Sequence, residues 1–225
     1  MSQHSHDHSH HHTHEGNTPL EVIAQVSRVV TLCVDRIVGD RSDVPLMVAA
    51  AVVEALKNHG IEARIMYGAA AWVEVLEDHS LIWSGCWGQS LHFWAATQYG
   101  EVVDLNVSVS HRKRPHDRPE LKPTYSPPMV WSREVPRFYR YQAEGAAEIE
   151  LSDPKDIDRW NKVSREVREK CTPAAIQETL EAGREMQFPN EPILCPGRKL
   201  LDDSNHSFRH FDRALSVHGI PQSPF

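Results

Sequence analysis

The sequence predicts an α+β fold in which a central helix packs on an antiparallel sheet and a C-terminal helical extension follows. Three observations predict it. Two helix-periodic runs open the globular part, one of them apolar on nearly every side. Short apolar runs separated by turn residues then fill positions 62 to 141. After Gly145 the pattern becomes charged and helical again. The 225 residues, 40% of them hydrophobic, can bury the core of one domain of ordinary size. Residues 1–16 form a tail, 17–146 the core and 147–225 the extension.

Thr18-Pro19-Leu20-Glu21 reads as a capping box with proline at the first helical position. Leu20, Ile23, Val26, Val30, Cys33 and Ile37 recur at helical spacing, and Gly39 is the stop. A second helix is predicted from Val44 to His59, with Asp43 as cap and Pro45 in the permissive first turn. Gly60 ends it with a positive φ. Strands are predicted at Glu62 to Tyr67, Ala71 to Leu76 and Leu81 to Trp83, followed by a loop through Cys86 and Trp87 to Ser90. Leu91 to Gln98 and Glu101 to Asn106 form a hairpin about Tyr99-Gly100. Residues 111 to 128, basic and proline-rich, are an extended surface connection, and Met129 to Tyr141 adds a last strand. Asp153 to Lys170, Thr172 to Met186 and Asp203 to Val217 are the extension's helices.

Composition excludes several classes of function. A formal charge of −7 leaves no overall positive excess to neutralise a phosphate backbone, so no nucleic-acid partner is expected. No apolar run reaches the length needed to cross a bilayer, the longest being Val44 to Leu56, interrupted by Glu54. Without an apolar N-terminal stretch of signal-peptide type, a cytoplasmic location is expected. Cys33, Cys86, Cys171 and Cys195 form no CxxC pair and no disulfide framework.

Seven of the 15 histidines, His4, His6, His8, His10, His11, His12 and His14, lie in the first fourteen residues. A segment so poor in apolar residues is expected to be disordered, and its imidazoles can together hold Zn, Ni or Cu. A low-complexity leader or a purification tag is the competing reading.

Residues 40 to 106 resemble the transglutaminase-like (papain-like) superfamily. Ala50 to Arg64 ends in Gly60-Ile61-Glu62-Ala63-Arg64, like the family's helix followed by GIPAR. Leu91-His92-Phe93-Trp94 with Gly100-Glu101-Val102-Val103-Asp104-Leu105 is like its HAW…GxWxxxD. The resemblance implies that His92 and Asp104 stand side by side on a hairpin, the carboxylate orienting the imidazole. It also implies a helix-initial Cys nucleophile, yet that position falls near Pro45, and no Cys occurs from Asp35 to Gly85. Ser42 and Asp43 flank the vacant position and also read as loop and cap residues. Cys33 lies on an apolar helix stripe and reads as core. Cys86, six residues before His92, is the remaining thiol that a loop can bring to a strand end, although the family's connectivity does not place it at the usual site. Trp83, Trp87 and Trp94 surround His92 as pocket walls or core.

Two functions compete on this reading, with a third behind them. One is a degenerate site, His and Asp kept and Cys absent, that binds a ligand, peptide or protein in the old cleft. The other is an active hydrolase or acyl/amide-transfer enzyme using His92 and Asp104 with Cys86 or water. The third is a metal-handling protein served by the His-rich tail. The basic segment from His111 to Arg118 can also touch an acidic partner.

Overall fold

The computed structural model describes residues 15–88, 90–113, 120–185, 193–195 and 198–200. Helix α1 spans Leu20–Val38 and α2 spans Pro45–Asn58, joined by a 3-10 turn at Arg41–Asp43. The end of α2 is a paired left-handed cap. Gly60 has φ +68°, its N–H donates to Lys57 O, and Ile61 N–H donates to Leu56 O. Ile61 and Leu56 are both buried in one apolar cluster, which closes the motif. A Cβ at Gly60 would meet nothing within 4 Å, so the cost of Gly60→Val is conformational, about 1–2 kcal/mol from the left-handed backbone. Chemical denaturation should show that loss, with Gly60→Asn milder; unchanged stability in the valine variant would contradict this helix end.

The expected helix starts are corrected. Pro19 precedes α1 as its cap residue, and Thr18 makes no capping bond. Thr18 N–H and Oγ1 donate instead to the two oxygens of Glu101, at 3.0 and 2.6 Å. Glu101 is wholly buried and also accepts from Thr97 Oγ1 and Trp131 Nε1. A buried carboxylate needs that many donors, and it outcompetes a local cap. Asp43 does not cap α2 either; it pairs with Lys113, while Asp40 accepts from Ser42 N–H.

The sheet is built on β1, Ala63–Leu76, one continuous strand where the sequence suggests two. Gly68-Ala69-Ala70 reads as a break but is the middle of the strand, buried from Gly68 to Val75. Strand β2 is Leu81–Cys86, β3 is His92–Thr97 and β4 is Val102–Asp104, the last two joined through Tyr99-Gly100 as expected. Strand β5 is Pro123–Tyr125. The single strand expected from Met129 to Tyr141 is two, β6 at Met129–Ser132 and β7 at Tyr139–Ala147. Pro136 and the Tyr139 N–H to Pro136 O turn separate them. All strands join one curled sheet, antiparallel except where β6 meets β8, Ile193–Cys195. Strand β9, Arg198–Leu200, pairs with β8. The C-terminal extension therefore contributes strands as well as helices, and β7 runs past the expected boundary at residue 146.

Helices cover one face of this sheet. Helix α3, Pro154–Lys170, is capped by Asp153, whose side chain accepts from Lys155 N–H. Its Val163 and Val167 enter the cluster formed by α1, α2 and the sheet residues Ala95, Val103 and Trp131. Its terminal carbonyls accept from Gln25 of α1 and Asn58 of α2, both through side-chain amides. The helix expected at Thr172 to Met186 is a 3-10 turn, Pro173–Ala175, running into α4, Ile176–Glu185. The candidate helix from Asp203 to Val217 lies outside the described residues. Among those residues no helix is long and apolar enough to cross a membrane.

Candidate functional site

Strand β1 holds two partners in succession along one edge. Its first half pairs with β3, Gly68 opposite His92, and its second half with β2, Ala70 opposite Cys86. Cys86 and His92 thus stand where two strands leave the same neighbour, about 7 Å apart along β1 by strand rise. Residues opposite one another in a ladder share a face, and Gly68 and Ala70 are two positions apart, so both side chains point the same way. Asp104 joins them from β4, which pairs with β3, and Tyr141 from β7, opposite Ala70 on the other edge.

Two glycines permit this convergence. A Cβ on Gly85 would lie 2.2 Å from Ala70 O, and one on Gly68 would lie 2.2 Å from Gln142 O. The pairing of β1 with β7 shifts register between Tyr67 and Gly68, which bends the sheet around the site.

His92 Nε2 lies 2.8 Å from Asp104 Oδ2, and Cys86 stands close enough to the same imidazole to add to the rise in its pKa. Asp104 has no slack: Oδ2 also accepts from Tyr141 OH at 2.8 Å, and Oδ1 accepts from Asn106 and Val107 N–H at 2.9 and 3.1 Å. The Trp72 ring tilts against His92 with centroids 5.2 Å apart, and the Trp94 ring is stacked with it at 6.4 Å. His92 and Asp104 are 3% and 1% exposed, whereas Cys86 is partly exposed. Cys86 is therefore the least buried of the three residues.

Burial alone would push the imidazole down, but the Asp104 charge and hydrogen bond, with a further contribution from Cys86, outweigh it and raise the His92 pKa. For Asp104, burial acts upward, and His92, Tyr141 and the Asn106 N–H overcome it and hold the carboxyl below its ordinary value. Burial and the nearby carboxylate keep Tyr141 protonated far above the usual phenol range, so it remains a donor.

The residues singled out in the sequence are sorted by this arrangement. His92, Asp104 and Cys86 are brought together, with Cys86 as the last residue of β2 and not in a loop. Pro45, Ser42 and Asp43 are not part of the group. On β3, Phe93 and Ala95 pack toward α2 while His92 and Trp94 face the opposite side, so the imidazole lies across the sheet from the α2 N-terminus. Cys33 and Cys171 are core residues whose thiols burial pushes up to about 11 and about 12. Cys195 is buried as well. Trp83 is not a wall of the site: it pairs with Val73 on the alternate face, under the Arg140 guanidinium. Trp87 packs at the edge of the neighbouring apolar cluster. Trp72 and Tyr141, absent from the sequence reading, take the places expected of Trp83 and Trp87; the alternations Trp72-x-Glu74 and Tyr139-x-Tyr141 were the available signal.

Beside this group, Glu74 is buried at 1% exposure and accepts from Trp72 Nε1, Ser110 Oγ and Ser126 Oγ. It ties Trp72, and so the wall behind His92, to the 3-10 turn at Val107–Arg112. The expected basic surface segment is engaged within the chain where it is described. His111 contacts Ser126, and Arg112 pairs with Asp40. A cleft of about 330 Å³ between α1, α3 and α4, lined in part by Cys33, opens on the helical face. Among the described residues no group of three His, Cys, Asp or Glu side chains is placed to hold a metal ion. The tail histidines His4 to His14 lie outside the described residues.

No family model and no curated protein matches the chain. Among solved structures, a structural-genomics protein described only as genomics APC5867 is similar at a TM-score of 0.41 and 12% identity, over 70% of this chain and 82% of that one.

Proposed function

We propose that the chain is a thiol-dependent hydrolase or acyl-transfer enzyme with Cys86 as nucleophile, His92 as acid and base, and Asp104 as the group that orients and charges the imidazole. The observation that supports it is the convergence on one sheet face of the partly exposed Cys86, the buried His92 imidazole and the fully bonded Asp104 carboxylate. In the resting pair His92, charged beside Asp104, already holds the Cys86 proton, and the sulfur attacks the carbonyl carbon of an acyl donor as the thiolate. As the tetrahedral adduct collapses, the imidazolium returns that proton to the leaving amine or alkoxide. Water, or an amine in the transfer reaction, then attacks the thioester with His92 as base, and the thiol is regenerated with its proton. The resemblance of residues 40 to 106 to the transglutaminase-like superfamily supports the reading by its order of helix, His strand and Asp strand. In the proposed arrangement the nucleophile stands on β2, where that family has it at the helix start.

Iodoacetamide alkylation followed by mass spectrometry tests this near neutral pH. Cys86 should react at least about tenfold faster than a free thiol, and the advantage should vanish in His92→Ala. Cys33 and Cys171, buried and hard to ionise, should stay unmodified. The near-complete burial of His92 and Asp104 among Trp72 and Trp94 favours a second reading, a degenerate site that binds a ligand without turnover. Cys86 labelling no faster than a free thiol would leave that reading standing and overturn the first.

A further inference from the structure

Strand β2 is paired on one side only among the described residues: its partner is β1, and the sheet order begins with it. The phase of its hydrogen bonding can be read from the turn that leads into it. Leu76 N–H donates to Ser80 O at 2.9 Å, and bonded pairs recur at every second residue of an antiparallel ladder. Ile82, Ser84 and Cys86 are therefore the residues bonded to β1. The peptide N–H and C=O groups of Leu81, Trp83 and Gly85 point away from it, and among the described residues none has a hydrogen-bond partner. Exposed strand edges are ordinarily protected by charge or proline, because a free row of donors and acceptors recruits another strand. The segment Leu81-Ile82-Trp83-Ser84-Gly85-Cys86 carries neither. It ends on the proposed nucleophile, and Gly85 leaves no side chain beside it.

We propose that the substrate is an extended peptide segment that adds to the free edge of β2, bonding Gly85 and Trp83 through its backbone and presenting a carbonyl to Cys86. This rests on the thiol reading above and names its substrate class. Strand addition derives affinity from main-chain bonds and is tolerant of side-chain identity. It also explains how a site whose His and Asp are buried is reached: the approach is from the strand edge at the partly exposed Cys86, and the imidazole works from behind.

The test compares two chloromethyl ketone probes, acetyl-tetraalanyl and acetyl-alanyl, on the full chain. In each, the Cys86 sulfur bonds to the methylene carbon and chloride leaves. The longer probe should alkylate Cys86 about tenfold faster at equal low concentration. N-methylation of alternate amides in one phase should abolish the gain, and methylation in the other phase should preserve it, since only every second amide faces β2. Equal rates for both probes, or indifference to both methylation phases, overturns the proposal. A chain that sediments as a dimer and shows no gain assigns the edge to a second copy and overturns it too. Fast iodoacetamide alkylation without peptide preference removes strand addition alone, whereas slow alkylation by every reagent removes the thiol reading itself.

Discussion

Asp104→Ala is expected to destabilise the protein by about 3–5 kcal/mol, the cost of removing one partner from a buried charged pair. The residue is 1% exposed and accepts from four donors: His92, Tyr141 and the backbone of Asn106 and Val107. Alanine leaves the imidazole, a phenol and two peptide groups buried without an acceptor. Asp104→Asn, which retains one acceptor oxygen, should cost less, and urea denaturation of the two variants reads the difference directly. The pair also sets a pH dependence. Asp104 has a lowered pKa in the folded chain, so its contribution is full above the ordinary carboxyl value of 3.8 and fades as pH falls through the folded value. His92 has a raised one, so its contribution is full below the ordinary 6.5 and fades as pH rises through the folded value. The gap between wild type and Asp104→Asn should therefore be widest between those two ordinary values. A gap that grows steadily above 6.5 would contradict the pairing.

Gly68→Ala should be comparably damaging for a different reason. The added methyl would sit 2.2 Å from Gln142 O and 2.8 Å from Glu144 N, both backbone atoms of β7, at a φ of +157°. No rotamer change relieves a backbone clash, so β7 must move off β1, at about 3 kcal/mol or more. Tyr141 lies on the displaced strand and loses its bond to Asp104. The variant should thus melt earlier and also alkylate more slowly at Cys86. Wild-type melting would show that β7 does not approach β1 at the register described.

Much of the local structure was legible in sequence because it follows from local chemistry. Gly39 and Gly60 mark helix ends, Tyr99-Gly100 marks a hairpin, and the hairpin places His92 and Asp104 on adjacent strands. What failed depended on partners distant in sequence. Thr18 looks like a cap until Glu101, 83 residues away, offers a buried carboxylate. Gly68 looks like a strand break until β7 packs against it. The position of Cys86 was the most consequential case. Six residues from His92 it could lie on either face or in a loop, and only the handover of the β1 edge from β3 to β2 puts both side chains on one face. The same parity places His92 across the sheet from α2. The helix start, where the family resemblance directs attention, therefore lies apart from the group proposed to carry the chemistry.

The central claim is that Cys86, His92 and Asp104 act as one unit, and nitrogen-15 NMR of histidine-labelled protein tests it most directly. The His92 resonances, assigned by their loss in His92→Gln, should show an imidazolium near neutral pH, because Asp104 and Cys86 raise its pKa. Alkylation of Cys86 should shift those resonances and lower that pKa. A neutral imidazole titrating near 6.5 and indifferent to alkylation of Cys86 would contradict the account.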